Sequence, residues 1–132
     1  IDQILAESDY VSLHVPLTPE TEYMIGLEQI SKMKPTSFLI NTTRGRTVDP
    51  QALYVGLSQG LIEGAAIDVT DPEPLPIDSP LLSLPNLLIT PHIASASSTT
   101  VKRMGLMAAE NIRGALSGTD MPSCLNFEAV RK

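Results

Sequence analysis

The stretch SFLINTTRGRTVDP, residues 37–50, contains an apolar run, an abrupt change to polar residues and a helix start. Phe38, Leu39 and Ile40 show no polar alternation, which predicts a strand of a parallel sheet buried on both faces. Asp49 followed by Pro50 reads as an N-cap with proline at the first helical position, where its missing N–H leaves nothing unpaired. Between them lies Asn41-Thr42-Thr43-Arg44-Gly45, a polar loop. Strand, polar loop and helix form the repeating unit of an open α/β sheet.

The rest of the chain repeats that unit. Further short apolar runs are YVSLHV (10–15), GAAIDV (64–69) and NLLIT (86–90). LEQISKM (27–33) reads as helical and stops before Pro35. The helix begun at Pro50 has a stop at Gly60. The connection TDPEPLPIDSPLLSLP (70–85) is too rich in proline for a long helix. After it, Ser97 or Ser98 caps a final helix reaching Leu116, with Val101, Met104, Ala108, Ile112 and Ala115 as its apolar stripe and Gly118 at its end. The first residues, IDQILAES, read as a helix already under way, with Ile1, Ile4 and Leu5 on one face. The chain is therefore expected to be a piece of something longer. Right-handed crossovers are expected throughout.

Composition narrows the function classes. The chain has 132 residues, one domain's worth, and nine basic against fifteen acidic residues give a net charge of -6 without any basic run. That balance disfavours nucleic acid and anionic membrane as partners. Nothing approaches the roughly 18 consecutive apolar residues of a membrane span, and no signal-peptide pattern occurs. Cys124 is the only cysteine. It cannot form an internal disulfide, so a reducing, cytoplasmic setting is expected. No metal site is expected.

Each apolar run ends in unusual polar groups. The first leads into His14, Pro16 and Thr18, the second into Asn41, Thr43 and Arg44, the third into Asp68 with Glu73 beyond, and the fourth into Thr90-Pro91-His92. In a parallel sheet all carboxyl ends lie along one edge, where ligands of open α/β folds bind. Arginine offers a planar charged fork suited to a carboxylate. Histidine exchanges a proton near neutral pH, and a nearby glutamate orients it. Such a set suits reduction of a carbonyl beside a carboxylate. Taken singly, each residue has an ordinary reading as a loop charge, a turn or a satisfied histidine; the shared edge favours the functional one. His14 either lines a cofactor cleft or bonds locally.

These residues resemble the D-isomer-specific 2-hydroxyacid dehydrogenases. The resemblance is carried by HVPLTPETEYMIG, MKPTSFLINTTRGRTVDPQAL, GAAIDVTDPEPLP and LLSLPNLLITPHIAS, in the family's order and spacing. DVTDPEPLP and MPSCLN look most like the glyoxylate reductase/hydroxypyruvate reductase branch. The resemblance implies that Arg44 binds the substrate carboxylate and that His92, partnered by Glu73, is the acid or base. It implies that Asp68 holds the nicotinamide carboxamide and that Thr43 and Ala94 line its pocket together with Arg44 and His92. Pro16 and Thr18 would border the cofactor cleft. NAD or NADP is the implied cofactor, a small 2-keto acid the substrate, and a homodimer the assembly.

The glycine-rich turn that cradles a dinucleotide pyrophosphate does not occur in these 132 residues. The expected fold is therefore the second half of a doubly wound, Rossmann-like parallel-sheet domain. Residues 1–118 would be the C-terminal part of the NAD(P)-binding domain, and 119–132 a tail returning towards a substrate lobe. The rival reading is a corepressor-type module of the same fold, which binds dinucleotide and recruits peptides.

Overall fold

The protein is represented by a computed structural model that describes residues 1–126. The expected return of residues 119–132 therefore falls in part outside the described residues. The chain forms two compact units, residues 1–92 and 93–132.

The first unit contains α1 (Asp2–Glu7), β1 (Tyr10–Leu13), α2 (Leu27–Ser31), β2 (Phe38–Asn41), α3 (Pro50–Ser58), β3 (Gly64–Ile67) and β4 (Leu87–Ile89). Short 3-10 turns occur at Gly45–Thr47 and Pro80–Ser83. All strands are parallel in the order β1-β2-β3-β4. Leu13, Asn41, Ile67 and Ile89 stand in register, so the carboxyl ends of all four strands are level. Asp49 caps α3 as expected, its Oδ1 accepting from the N–H groups of Gln51 and Ala52. Gly60, at φ +67°, turns the chain after it.

Val11, Leu13, Leu39, Ala65 and Ile67 point to one face and form the core with Ile30 of α2, Leu53 and Leu57 of α3, and Leu81. Gly56 allows α3 to approach α2, since a Cβ there would lie 2.6 Å from Ile30 Cγ2. The strands are not buried on both faces as their lack of alternation predicts. Tyr10, Phe38 and Leu88 on the other face are exposed, Leu88 by 63%, and the rings of Tyr10 and Phe38 stack at 5.5 Å. The sequential strand order explains the difference. Within this unit every crossover element joins the same core, which leaves the opposite face apolar but without a layer of its own.

The second unit holds α4 (Ser98–Ser117). Ser97 is the N-cap, its hydroxyl accepting from Thr100 N–H, and Gly118 ends the helix at φ +65°. Val101, Met104 and Ile112 of its apolar stripe are exposed. Its one buried residue is Gly114, where an added Cβ would lie 2.6 Å from the Asp120 carbonyl oxygen. Asn111 Oδ1 accepts from Ser123 N–H, fastening the chain beyond the helix to its last turns. Among the described residues no helix is long and apolar enough to cross a membrane.

Candidate active site

Three loops leave the level carboxyl edge of β2, β3 and β4, and each is shaped by the residue at its root. At the end of β2, the buried side chain of Asn41 organises the loop that follows. Its Oδ1 accepts from Thr43 N–H at 3.0 Å and from the Thr43 hydroxyl at 2.8 Å. Its Nδ2 donates to the Arg44 carbonyl at 3.0 Å and to Thr47 Oγ1 at 3.1 Å. The Thr47 hydroxyl donates to the same Arg44 carbonyl at 2.8 Å. The Arg44 main chain is thereby fixed, while its guanidinium is exposed and donates to the Thr43 carbonyl at 2.7 Å. Sequence patterns do not reveal Asn41 and Thr47 as this scaffold; the available signal is an asparagine at a strand end followed by threonines, which favours side-chain to backbone turns.

Asp68 follows β3. Its N–H donates to the Asn41 carbonyl at 2.9 Å, and its carboxylate accepts from the Thr90 hydroxyl. It is only 5% exposed. Burying a carboxylate is costly unless donors hold it, and Thr90 supplies one. Asp68 and Thr90 line a cavity of about 60 Å³ that also includes Thr42. The same two residues line a second cavity of about 320 Å³, shared with Glu73, Leu75 and His92.

His92 follows β4 at φ +54°, in the left-handed region that non-glycine residues seldom occupy. Its Nδ1 lies 2.6 Å from Glu73 Oε1, with both side chains roughly half exposed. The Glu73 loop is tied by the Thr70 hydroxyl, which donates to the Pro72 carbonyl at 2.9 Å. With Nδ1–H given to the carboxylate, the imidazole offers Nε2 as a base, or Nε2–H as an acid when charged. Short motifs give no sign of the left-handed backbone at His92.

The remaining expected site residues lie elsewhere. Pro16 and Thr18 form a tight turn in which the Thr21 hydroxyl donates to the Pro16 carbonyl at 2.7 Å and accepts from Thr18 N–H at 2.8 Å. That turn follows β1, three strand spacings, or about 14 Å, from β4. The Arg44 guanidinium faces its own loop and is not hydrogen-bonded to the His92–Glu73 pair. His14 pairs locally with the Ser12 hydroxyl at 2.9 Å. Ala94 belongs to the second unit, in a turn closed by Ala96 N–H donating to the Ile93 carbonyl at 2.9 Å. Among the described residues no group of three or more His, Cys, Asp or Glu side chains is placed to hold a metal.

An imidazole–carboxylate pair, a buried carboxylate and an arginine-bearing loop at the carboxyl edge of a parallel sheet define the open α/β class of ligand-binding domains. The family described as "D-isomer specific 2-hydroxyacid dehydrogenase, NAD binding domain" matches residues 1–94. The chain belongs to that family. The glyoxylate reductase of Korarchaeum cryptofilum is 50% identical over 131 residues, 99% of this chain and 40% of that protein. The glyoxylate/hydroxypyruvate reductase B of Pectobacterium carotovorum subsp. carotovorum is 47% identical over 131 residues, 99% of this chain and 41% of that protein. Among solved structures, the TT0316 protein of Thermus thermophilus superposes with a TM-score of 0.89 at 48% identity, covering 94% of this chain and 40% of that one. The NAD-complexed D-isomer specific 2-hydroxyacid dehydrogenase of Lactobacillus delbrueckii ssp. bulgaricus gives 0.85 at 35%, covering 95% and 42%. The chain thus spans about two fifths of the length of the relatives it matches.

The residues present fit the nicotinamide end of a dinucleotide. A buried carboxylate bordering a small cavity is an acceptor for a carboxamide NH₂, and Thr42 and Thr90 add hydroxyls beside it.

Proposed function

We propose that this chain supplies the acid–base half of an NAD(P)-dependent reductase of small 2-keto acids. Glyoxylate and hydroxypyruvate are the substrates of choice, giving glycolate and D-glycerate. The observation that carries the reading is the 2.6 Å His92–Glu73 pair sharing a cavity with Asp68 and Thr90 at the carboxyl edge of the sheet.

In this reading NAD(P)H, when bound, supplies the hydride. Asp68 would accept from the carboxamide, while Thr43 would border the ring and Pro16 and Thr18 the cleft further along. Arg44 turns outward from Thr43 to take the substrate carboxylate in its two-pronged fork. His92, held by Glu73, donates its Nε2 proton to the carbonyl oxygen as that oxygen gains charge, and accepts it back in oxidation. Two of the relatives named above are reductases and a third is a D-isomer specific 2-hydroxyacid dehydrogenase, which supports an enzyme over a corepressor-type module. The resemblance further supports a homodimer, and the lone Cys124 a reducing, cytoplasmic setting.

The test is turnover of glyoxylate and of hydroxypyruvate by the full-length protein, with NADH and NADPH in parallel. Consumption of reduced cofactor that depends on either keto acid supports the reading. Tight dinucleotide binding with no keto-acid turnover overturns it.

A further inference from the structure

Tyr23 has no role in the chemistry assigned above, yet three loops meet at this residue. Its φ of +47° lies in the left-handed region, which is strained for an aromatic residue and persists only where the surroundings fix it. The surroundings do so here. Tyr23 N–H donates to the Arg46 carbonyl at 2.7 Å, and Ile25 pairs with Val48 in a parallel bridge. The Tyr23 hydroxyl donates to Asp71 Oδ2 at 2.5 Å, across 48 positions of sequence. The Arg46 side chain is ion-paired with Glu22, the neighbour of Tyr23 in the chain.

One residue therefore joins the loop after β1, through its N–H, to the turn after β2 and, through its hydroxyl, to the loop after β3. Arg46 is two residues from Arg44, and Asp71 is two residues from Glu73. The latter two loops also touch directly, since a Cβ on Gly45 would lie 1.9 Å from the Thr70 carbonyl oxygen. Tyr23 itself is exposed and lies outside the buried core. A solvent-facing hydrogen bond of this kind adds little to global stability. Its consequence is local: it sets the distance between the Arg44 turn and the Glu73 loop.

We propose that Tyr23, acting through Asp71 and Arg46, is a positioning residue for keto-acid reduction, clamping the arginine-bearing turn to the loop that orients His92. This rests on the function proposed above. A guanidinium that binds the carboxylate and an imidazole that protonates the neighbouring oxygen must fit one small substrate at once. Small errors in such geometry lower the rate steeply.

The test is steady-state kinetics of the full-length enzyme with hydrogen exchange measured on the bonded amides at positions 23, 47 and 48. Tyr23→Phe keeps the ring and loses the hydroxyl. It should lower kcat by about tenfold or more and raise the keto-acid KM. The dinucleotide KM and the melting temperature should stay at wild-type values, and exchange of the amides at positions 23, 47 and 48 should quicken. Asp71→Ala should match it, the double variant should be no worse than either single one, and Asp71→Asn, which keeps an acceptor oxygen, should recover most of the rate. Unchanged kcat and KM in Tyr23→Phe overturns the proposal. So does a loss that tracks melting temperature and dinucleotide binding together, which makes Tyr23 a fold staple. Wild-type enzyme that reduces no keto acid overturns the function reading instead; unchanged exchange at positions 23, 47 and 48 in Tyr23→Phe then removes the clamp as well.

Discussion

His92 Nδ1 and Glu73 Oε1 lie 2.6 Å apart although the two residues are nineteen positions apart in the chain. One side chain follows the last strand, and the other hangs from the loop after the third. If this pair moves the substrate proton, His92→Ala in the full-length enzyme should lower turnover about 10²- to 10⁴-fold in both directions. Dinucleotide binding, read by cofactor fluorescence, should hardly change. Glu73→Gln keeps the shape and loses the charge, and should cost less than His92→Ala but more than a surface substitution. Near-normal turnover in His92→Ala would make the histidine a structural one.

Arg44→Lys keeps the charge and loses the fork. The keto-acid KM should rise and kcat should fall, while the dinucleotide KM stays in place. The main chain of the loop is held by Asn41 and Thr47 rather than by the guanidinium, so the melting temperature should move little. Wild-type kinetics would return Arg44 to the status of a loop charge.

Thr90→Val removes a donor from a carboxylate that is 5% exposed, at nearly constant volume. The expected destabilisation is about 1–3 kcal/mol, readable by urea unfolding. Thr90→Ser keeps the hydroxyl and should cost distinctly less. Equal stability of the valine and serine variants would show that the Thr90 hydroxyl does not help to hold Asp68.

The phenol of Tyr23 is held above its ordinary range, chiefly by its hydrogen bond to Asp71, with the Arg46 guanidinium pulling the other way. A group whose folded value is raised contributes stability below its unfolded value and loses it as pH climbs through the folded one. The window here is alkaline, above the usual phenol value of about 10. Ultraviolet titration of the wild type should show one tyrosine ionising later than an ordinary phenol. That late step should be absent from Tyr23→Phe and moved downward in Asp71→Ala.

Most of the sheet was legible because parallel strands announce themselves as short unbroken apolar runs. Asp49-Pro50, Gly60, Ser97 and Gly118 then marked helix ends by local rules that tertiary packing did not override. The single buried face was not legible. Runs such as GAAI read alike whether one face is covered or both, and only strand order decides between them. Glu73 and His92 were suggested by side-chain type and position. The Tyr23–Asp71 bond was not, because no periodicity links residues 48 positions apart and tyrosine in a polar loop carries no signal of its own.

The strand order β1-β2-β3-β4 is also the order in which the strands leave the ribosome. Each new strand has its partner already synthesised, and none waits for a later one to open a gap in the sheet. Pairings that close over short sequence separations form faster than distant ones. The unit of residues 1–92 is therefore suited to growing by accretion during translation, with β4 sealing it last. The Pro91-His92 segment, which directly follows β4, takes its place only when that final strand docks. In such a chain the histidine would be the last of the three acid–base and anion-binding side chains to be set.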